Sequence, residues 1–217
     1  MNTFQKHYNQ KAEDYKISAP RFEKILEICT DLKNKKVLDV GCATGYLGKE
    51  FAKRGAEVTG IDIAKAALKK ASEVLSFVKL VDLNDGKLPF KDKTFDLIVA
   101  SEVIEHLFKP SIILKEFKRV LKDDGKLIIT TPNLLYWGHR LKFLIGRFGY
   151  TEEGPFDVGH IHFYTYQTLT GDLHKSGFRI VKENHVYAKG NIISLLKNAF
   201  PGIFAYQFVI KVRTNGQ

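Results

Sequence analysis

The chain is 217 residues long, 44% hydrophobic and 27% charged, and carries a formal net charge of +10. Size and composition fit one globular α/β domain with a sizeable core. No apolar run reaches the length of a membrane span, and the opening Met-Asn-Thr-Phe-Gln-Lys-His-Tyr is too polar for a signal peptide. Cys29 and Cys42, neither paired nor in a metal spacing, fit a reducing compartment, so the cytoplasm is the expected location. The lysines are spread through most helices and turns, and the densest basic cluster is His139, Arg140, Lys142 and Arg147. Charge alone therefore argues a solvated basic surface before a nucleic-acid stripe. An anionic small substrate or an acidic membrane surface accounts for it equally well.

Taken in chain order, short apolar runs alternate with amphipathic helical stretches, the pattern of βαβ units and a mainly parallel sheet. Residues 4–32 read as helical: Phe4, Tyr8, Ala12 and Tyr15 share one face, and Phe22, Ile25, Leu26 and Cys29 another. A strand over 36–40 leads to a helix over 45–54, which Gly55 ends. A strand at 57–61, a Lys/Ala-rich helix at 64–74 and a strand at 77–81 follow, then a loop over 82–90. The unbroken apolar run 95–101 reads as a strand buried on both faces. A helix at 111–121, a turn at 123–125 and a strand at 126–131 come next. After an irregular stretch the sequence predicts a helix over 166–176 and a strand over 178–186. A last strand over 205–213 is expected to lie antiparallel beside 126–131. No repeat or linker divides the chain, so one domain is predicted over 1–217, with a helical cap at 1–35 and an insert at 133–164.

The segment Val37-Leu-Asp-Val-Gly-Cys-Ala-Thr-Gly-Tyr-Leu-Gly48 is the most informative. It reads as a strand running into a glycine turn and then a helix. Gly41 and Gly45 lack a Cβ, so the backbone there can approach a ligand and take dihedrals closed to other residues. The helix that follows offers unpaired N–H groups. Asp62, ending the next strand, sits where a carboxylate accepts from both hydroxyls of a ribose.

Spacing separates two kinds of nucleotide-like ligand. A dinucleotide fingerprint is G-x-G-x-x-G; here Asp39-x-Gly41-x-Ala43-x-Gly45 is led by an acid and steps every second residue. It resembles the first motif of class I S-adenosylmethionine (SAM)-dependent methyltransferases, D/E-x-G-x-G-x-G, with Ala43 where that family has its middle glycine. The likeness extends over nearly the full chain. It implies an α/β fold, a three-layer α-β-α Rossmann-like sandwich whose sheet has seven mostly parallel strands and an antiparallel last one. It also implies SAM as cofactor, with S-adenosylhomocysteine as product. On that resemblance, Gly41, Cys42 and Ala43 hold the methionine part, and Asp39 orients the loop or reaches the ammonium through water. Asp62 takes the ribose, Ile63 the adenine face and Asp82 the adenine amino group, and Leu83 offers its backbone amide. Ser101 lines the methionine side, Tyr15 (with Tyr8) closes over the cofactor, and Arg21 reaches its carboxylate. The plainer reading makes each aspartate a turn or helix-cap residue.

The block Ser101-Glu-Val-Ile-Glu-His106 strengthens the likeness, recurring in small-molecule methyltransferases including those of quinone biosynthesis. In some relatives Glu-x-x-Glu-His is thought to hold magnesium, which would suit Glu102 and Glu105; the alternative is that Glu105 and His106 pin the loop. The sequence reading assigns no metal. Methyl transfer to a hydroxyl needs in-line placement and benefits from a base near neutral pKa, for which His106, His160 and His162 are the candidates. Asp157-Val-Gly-His160-Ile-His-Phe-Tyr164-Thr matches the family's D-x-x-H-x-x-x-[FY]-[ST], so His160 carries over; it too could serve only to hold its loop. The insert mixes Leu134, Leu135, Tyr136, Trp137, Leu141, Phe143, Leu144, Ile145 and Phe148 with Arg140, Lys142 and Arg147. It reads either as a lid helix packed on the core or as an amphipathic surface gripping a lipid-like or anionic acceptor. Absence of Asn/Asp-Pro-Pro-Tyr after strand four, and of a Pro-Cys dipeptide, counts against a nucleic-acid target. The expected activity is methylation of a small or lipid-like acceptor, most simply at oxygen. An RNA or protein methyltransferase, favoured by charge alone, and a non-catalytic SAM-binding scaffold, for which Ala43 leaves room, stay open.

Overall fold

The computed structural model describes residues 19–151, 154–188 and 197–215. The elements in chain order are α1 (Ala19–Ile28), β1 (Lys36–Val40), α2 (Tyr46–Lys53), β2 (Glu57–Asp62), α3 (Lys65–Ala71), β3 (Phe77–Leu80), β4 (Phe95–Ser101), α4 (Pro110–Val120), β5 (Leu121–Pro132), α5 (Trp137–Leu144), α6 (Tyr166–Lys175), β6 (Phe178–Glu183), β7 (Val186–Tyr187), α7 (Pro201–Phe204) and β8 (Ala205–Thr214). Short 3₁₀ turns at Leu83–Asp85 and Ile104–His106 follow β3 and β4.

The strands form one sheet in the order β3-β2-β1-β4-β5-β8-β6, with β7 on the flank of β8. β1 to β5 run parallel, and β8 returns antiparallel between β5 and β6, as with Ile129 opposite Ile210. Side chains alternate between two cores, as a pleated strand demands. Val37, Leu97, Val99, Ile128 and Val209 pack with α1, α2 and α3 on one face. Leu38, Ile98, Ala100, Leu127, Ile129 and Phe208 pack with α4 and α6 on the other. Strands buried on both faces explain why these stretches read as unbroken apolar runs.

Three departures from the sequence reading have physical causes. The strand expected over 178–186 breaks into β6 and β7, which makes eight strands in all. The imidazole of His185 accepts the Val209 amide at 3.2 Å, taking the place of a ladder carbonyl. The Asn184 amide group turns out to Lys24 O at 3.0 Å. Among the described residues of the insert, Trp137–Leu144 is helical; it packs inward through His139, against Phe156 and Tyr206, while Leu144 and Ile145 stay 81% and 66% exposed, so a lid helix and an exposed apolar edge are both present. His139 is the one member of the supposed basic cluster that turns inward; burial holds its pKa below the usual imidazole value and removes it from the charged surface. Of the expected N-terminal cap, α1 buries Phe22 and Ile25 with Leu26 half-buried, Cys29 is buried just past its end, and Phe4, Tyr8, Ala12 and Tyr15 lie outside the described residues. No helix of the described residues is long and apolar enough to cross a membrane.

Candidate active site

Ligands of open α/β sheets bind outside the carboxyl ends of the strands, and the loop after β1 is where the predicted residues begin to converge. Gly41 has φ 67° and Gly45, capping α2, has φ 79°. A Cβ on Gly41 would come within 2.9 Å of Val103, and one on Gly45 within 3.2 Å of the Ala71 backbone. Ala43 holds φ 46° despite its methyl, a left-handed conformation that costs about 1 kcal/mol for a residue other than glycine. Where the family motif has a glycine, this alanine thus takes a backbone conformation that favours glycine.

What this loop offers a ligand differs from the plain expectation of exposed amides. Gly41 and Cys42 both donate to Ile61 O, at 2.8 and 3.0 Å, and Ala43 donates to Asp62 Oδ2 at 2.8 Å. These three residues can therefore turn backbone oxygens, not amides, to a ligand; the Cys42 oxygen already accepts the Gly45 amide at 2.8 Å. Asp62 also accepts the Ala64 amide at 2.8 Å through Oδ1, and the Ile63 amide favours its charge as well, so it ties the loop to the start of α3. Burial pushes its pKa up, partly offset by those amides. Asp39 is 2% exposed, and its Oδ2 has no hydrogen-bond partner among the described residues. Burial raises its pKa to about 7, against a hydrogen bond from the Gly48 amide, and nearby Asp62 adds to the rise. Cys42 is buried, and its thiol is held neutral by burial and by the two aspartates.

Further along the sheet, Asp82 caps the turn after β3 by accepting the Asn84 amide at 2.9 Å. The turn role foreseen as the plainer reading is therefore present, at the strand end where the ligand reading also needs a carboxylate. Ile63 and Leu83 are half-buried beside Asp62 and Asp82. Ser101 Oγ lies 3.2 Å from Thr130 Oγ1, and with Phe22, Asp39, Gly41 and Tyr46 it lines a small pocket.

Glu102, singled out in the sequence only as a carboxylate of the block after β4, is a hub of inward contacts. Its φ of 57° turns the chain sharply out of β4. One carboxylate oxygen accepts from Thr130 Oγ1 at 2.9 Å; the other accepts from Gln207 Nε2 and faces Arg21 Nη1 at 3.6 Å. Arg21, expected to reach a ligand carboxylate, is buried against Glu102 beside the same pocket.

Glu105 is 1% exposed, and neither of its carboxylate oxygens accepts a hydrogen bond among the described residues. Burial, and then the charge of Glu102, raise its pKa well above the carboxylate range. His106 Nδ1 donates to Gly159 O at 2.9 Å and His160 Nδ1 to Pro155 O at 3.1 Å, since a carbonyl can only accept. The two rings meet edge to face, 4.7 Å between centroids. Ile161 and His162 donate their amides to Glu105 O at 2.9 and 3.0 Å, so the 157–162 loop is laced to the turn after β4. His160 therefore holds its loop, as the plainer reading had it, through a carbonyl and not through Asp157, whose Oδ1 accepts the Gly159 amide at 2.7 Å. His162 points elsewhere, its ring 6.4 Å from that of Tyr164. Asn133 is fully buried and donates to Ala205 O at 2.8 Å, fixing the exit of β5 into the insert.

Comparison with known proteins agrees with this geometry. The family described as "Methyltransferase domain" matches residues 8–183. A ubiquinone biosynthesis O-methyltransferase of Idiomarina loihiensis is 35% identical over 124 residues, 55% of this chain and 51% of that protein. Another, of Glaesserella parasuis, is 38% identical over 117 residues, 47% of each chain. The chain thus spans about half the length of the curated relatives it matches. A crystal structure of an S-adenosylmethionine-dependent methyltransferase from Mesorhizobium loti superposes with a TM-score of 0.68, covering 90% of this chain and 98% of that one; at 18% identity this likeness shows the fold.

Proposed function

Because this chain belongs to the methyltransferase-domain family, we propose that it moves a methyl group from SAM to a hydroxyl oxygen of a small or lipid-like acceptor. One observation carries the reading. A chain of net charge +10 gathers Asp39, Asp62, Asp82, Glu102 and Glu105 at one end of its sheet, around a loop whose first three amides are already engaged. A pyrophosphate needs N–H donors in that place; a ligand bearing a sulfonium and an ammonium needs acceptors and carboxylates. SAM, when bound, supplies an electrophilic methyl.

The rest of the work is placement. Gly41 and Ala43 present carbonyl oxygens to the amino-acid end, with Asp39 beneath them. Asp62 takes the ribose hydroxyls, and Asp82 with Leu83 takes the base. Ser101, held by Thr130, and the Glu102–Arg21 pair form the wall next to the methyl. His160, with His106 against it, faces the acceptor oxygen from the insert side.

The insert selects the acceptor. Leu141, Leu144 and Phe148 are 52%, 81% and 59% exposed, with Arg140, Lys142 and Arg147 interleaved. Such a surface suits an acceptor with an apolar body and reversible contact with an acidic membrane surface. The relatives' name directs the choice toward a hydroxylated aromatic ring carrying an apolar tail.

Calorimetric titration and homocysteine release test this together. We expect one SAM site per chain and turnover with tailed hydroxyaromatics, faster in the presence of anionic vesicles. His160→Ala should cut turnover at least tenfold and leave the SAM Kd within about twofold. Binding of NAD with SAM ignored would overturn the cofactor reading. SAM binding without turnover on any acceptor would support a scaffold, and RNA binding that survives physiological salt would support a nucleic-acid substrate.

A further inference from the structure

Glu105, His106 and His160 each offer one ligating atom, and these atoms all lie within 4.8 Å of one another. The block Glu102-x-x-Glu105-His106 implies, by resemblance, magnesium on two carboxylates and a histidine. The side chains do not fit that ion. Magnesium takes oxygen ligands in near-octahedral order, and Glu102 is turned away to Thr130, Gln207 and Arg21. What converges instead is one carboxylate and two imidazoles, the second from a loop more than fifty residues downstream.

We propose that Glu105, His106 and His160 form a binding site for a single divalent transition ion of the zinc class. Three independent features support it. The first is donor chemistry: imidazole nitrogen prefers zinc, cobalt or iron(II) to magnesium, and a carboxylate with two histidines is a recurrent three-ligand set for such ions. The second is orientation. Both histidines donate Nδ1–H to backbone carbonyls, of Gly159 and Pro155, which places the ligating lone pair on Nε2 in the manner of metal-bound imidazoles. The third is the carboxylate itself. Glu105 is 1% exposed and accepts no hydrogen bond among the described residues, a costly arrangement for a polar group unless a cation or donor meets it.

The backbone is built to hold the set together. The amides of Ile161 and His162 clamp the loop to Glu105 O, and a Cβ on Gly159 would press within 3.1 Å of Asp157 Oδ1 and 3.5 Å of His106 Nδ1. Around a tetrahedral ion with ligands about 2 Å away, donors stand roughly 3.3 Å apart. Closing from 4.8 Å asks only small rotations of two half-buried rings. Three protein ligands leave a fourth position open, the arrangement of ions that bind a substrate oxygen. The site goes beyond methyl transfer and is measurable without cofactor or acceptor.

The experiment uses the full chain, stripped with chelator and titrated with Zn²⁺, Co²⁺ and Mg²⁺ in the absence of SAM. We expect one Zn²⁺ per chain, intense visible bands from tetrahedral Co²⁺ displaced by Zn²⁺, and no competition from millimolar Mg²⁺. His160→Ala, at a half-buried loop position, should weaken Zn²⁺ binding at least tenfold while circular dichroism and SAM affinity hold. Glu105→Gln should do the same, with His106→Asn as the second variant should the buried substitution disturb folding. Glu102→Gln should leave Zn²⁺ affinity within about threefold. Failure to bind Zn²⁺ or Co²⁺ in one-to-one ratio would overturn the site. So would Zn²⁺ binding unchanged by His160→Ala, which assigns the ion to other histidines, or Mg²⁺ binding that depends on Glu102 and not on His160. SAM binding, measured separately, tells failure of this site from failure of the methyltransferase reading.

Discussion

At the amino ends of β1, β4 and β5 lies a cleft of about 760 Å³, lined in part by Lys35, Lys93, Lys122, Asp96, Asp123 and Lys211. It is far larger than the pocket between Phe22, Gly41 and Ser101 at the opposite end of the sheet. Yet its charges answer one another: Lys122 meets Asp96 at 2.8 Å and Lys93 meets Asp123 at 2.9 Å. Burial works against ionising Asp96, but hydrogen bonds from Lys122 and the Lys36 amide more than offset it and hold the carboxyl below its usual range. At the carboxyl ends the balance reverses. Asp39 and Glu105 are buried with unpartnered oxygens and raised pKa values. Volume is what the folding of a sheet leaves over at either end; unanswered charge marks the end that receives a ligand.

The sharpest way to break this contrast is Gly45→Val. A branched side chain at φ 79°, facing the Ala71 backbone at 3.2 Å, cannot be absorbed, so SAM binding by calorimetry should vanish while far-ultraviolet circular dichroism changes little. Asp62→Ala is expected to cost roughly 1–3 kcal/mol of SAM affinity, about five- to 150-fold in Kd. It should also lower Tm, because the Ala43 and Ala64 amides lose their acceptor. Asp62→Asn, which keeps one acceptor and turns an NH2 group toward the other amide, should recover only part of the Tm and less of the affinity.

Asp39→Asn sharpens the comparison through pH. With a folded pKa of about 7 against 3.8, the native carboxyl keeps its proton over a range in which the unfolded one loses it. The parent protein therefore loses stability as pH rises from about 4 to 7, and the penalty is constant above that. The variant should equal the parent near pH 4 and exceed it at pH 8 by on the order of 2–4 kcal/mol in ligand-free denaturant unfolding. It should bind SAM more weakly at both values. Smallest of all, Lys122→Ala at the other end should change stability by at most ~0.5 kcal/mol and SAM affinity not at all. A loss of SAM binding there would show that the two ends are coupled.

Much of this was legible from residue order alone. The glycine loop and the alternation of strands with helices follow from local pattern, because apolar periodicity and turn chemistry act over a few residues; the antiparallel return of β8 was implied by the family resemblance. What was not legible depends on distant partners. Gln207 reaches Glu102 across 105 positions, and no spacing rule reports that. A turn at Glu102 was legible, but not its left-handed φ of 57° or its inward partners Thr130 and Arg21. His139 sits among arginine and lysine and reads as charge, but Phe156 and Tyr206 enclose it in an aromatic shell that only the folded insert assembles. The break at Asn184 and His185 depends on the Val209 amide and Lys24 carbonyl, partners that residue order does not report.

The position of β8 sets a condition on how the sheet can be completed. β8 follows β6 in the chain but lies between β5 and β6, and its Phe208, Val209, Ile210 and Val212 are fully buried. A nascent chain therefore makes β6 and α6 before the strand that attaches them exists. Until residues 205–214 have left the ribosome, β5 and β6 both present unpaired edges flanked by apolar side chains, an arrangement prone to pairing with other chains. The carboxyl-end site is exposed to the same delay, since Gln207 on β8 is one of the groups that hold Glu102 in place. Synthesis order thus leaves the β5 edge uncovered and Glu102 short of one partner until β8 is made, although β1 to β5 can already pair.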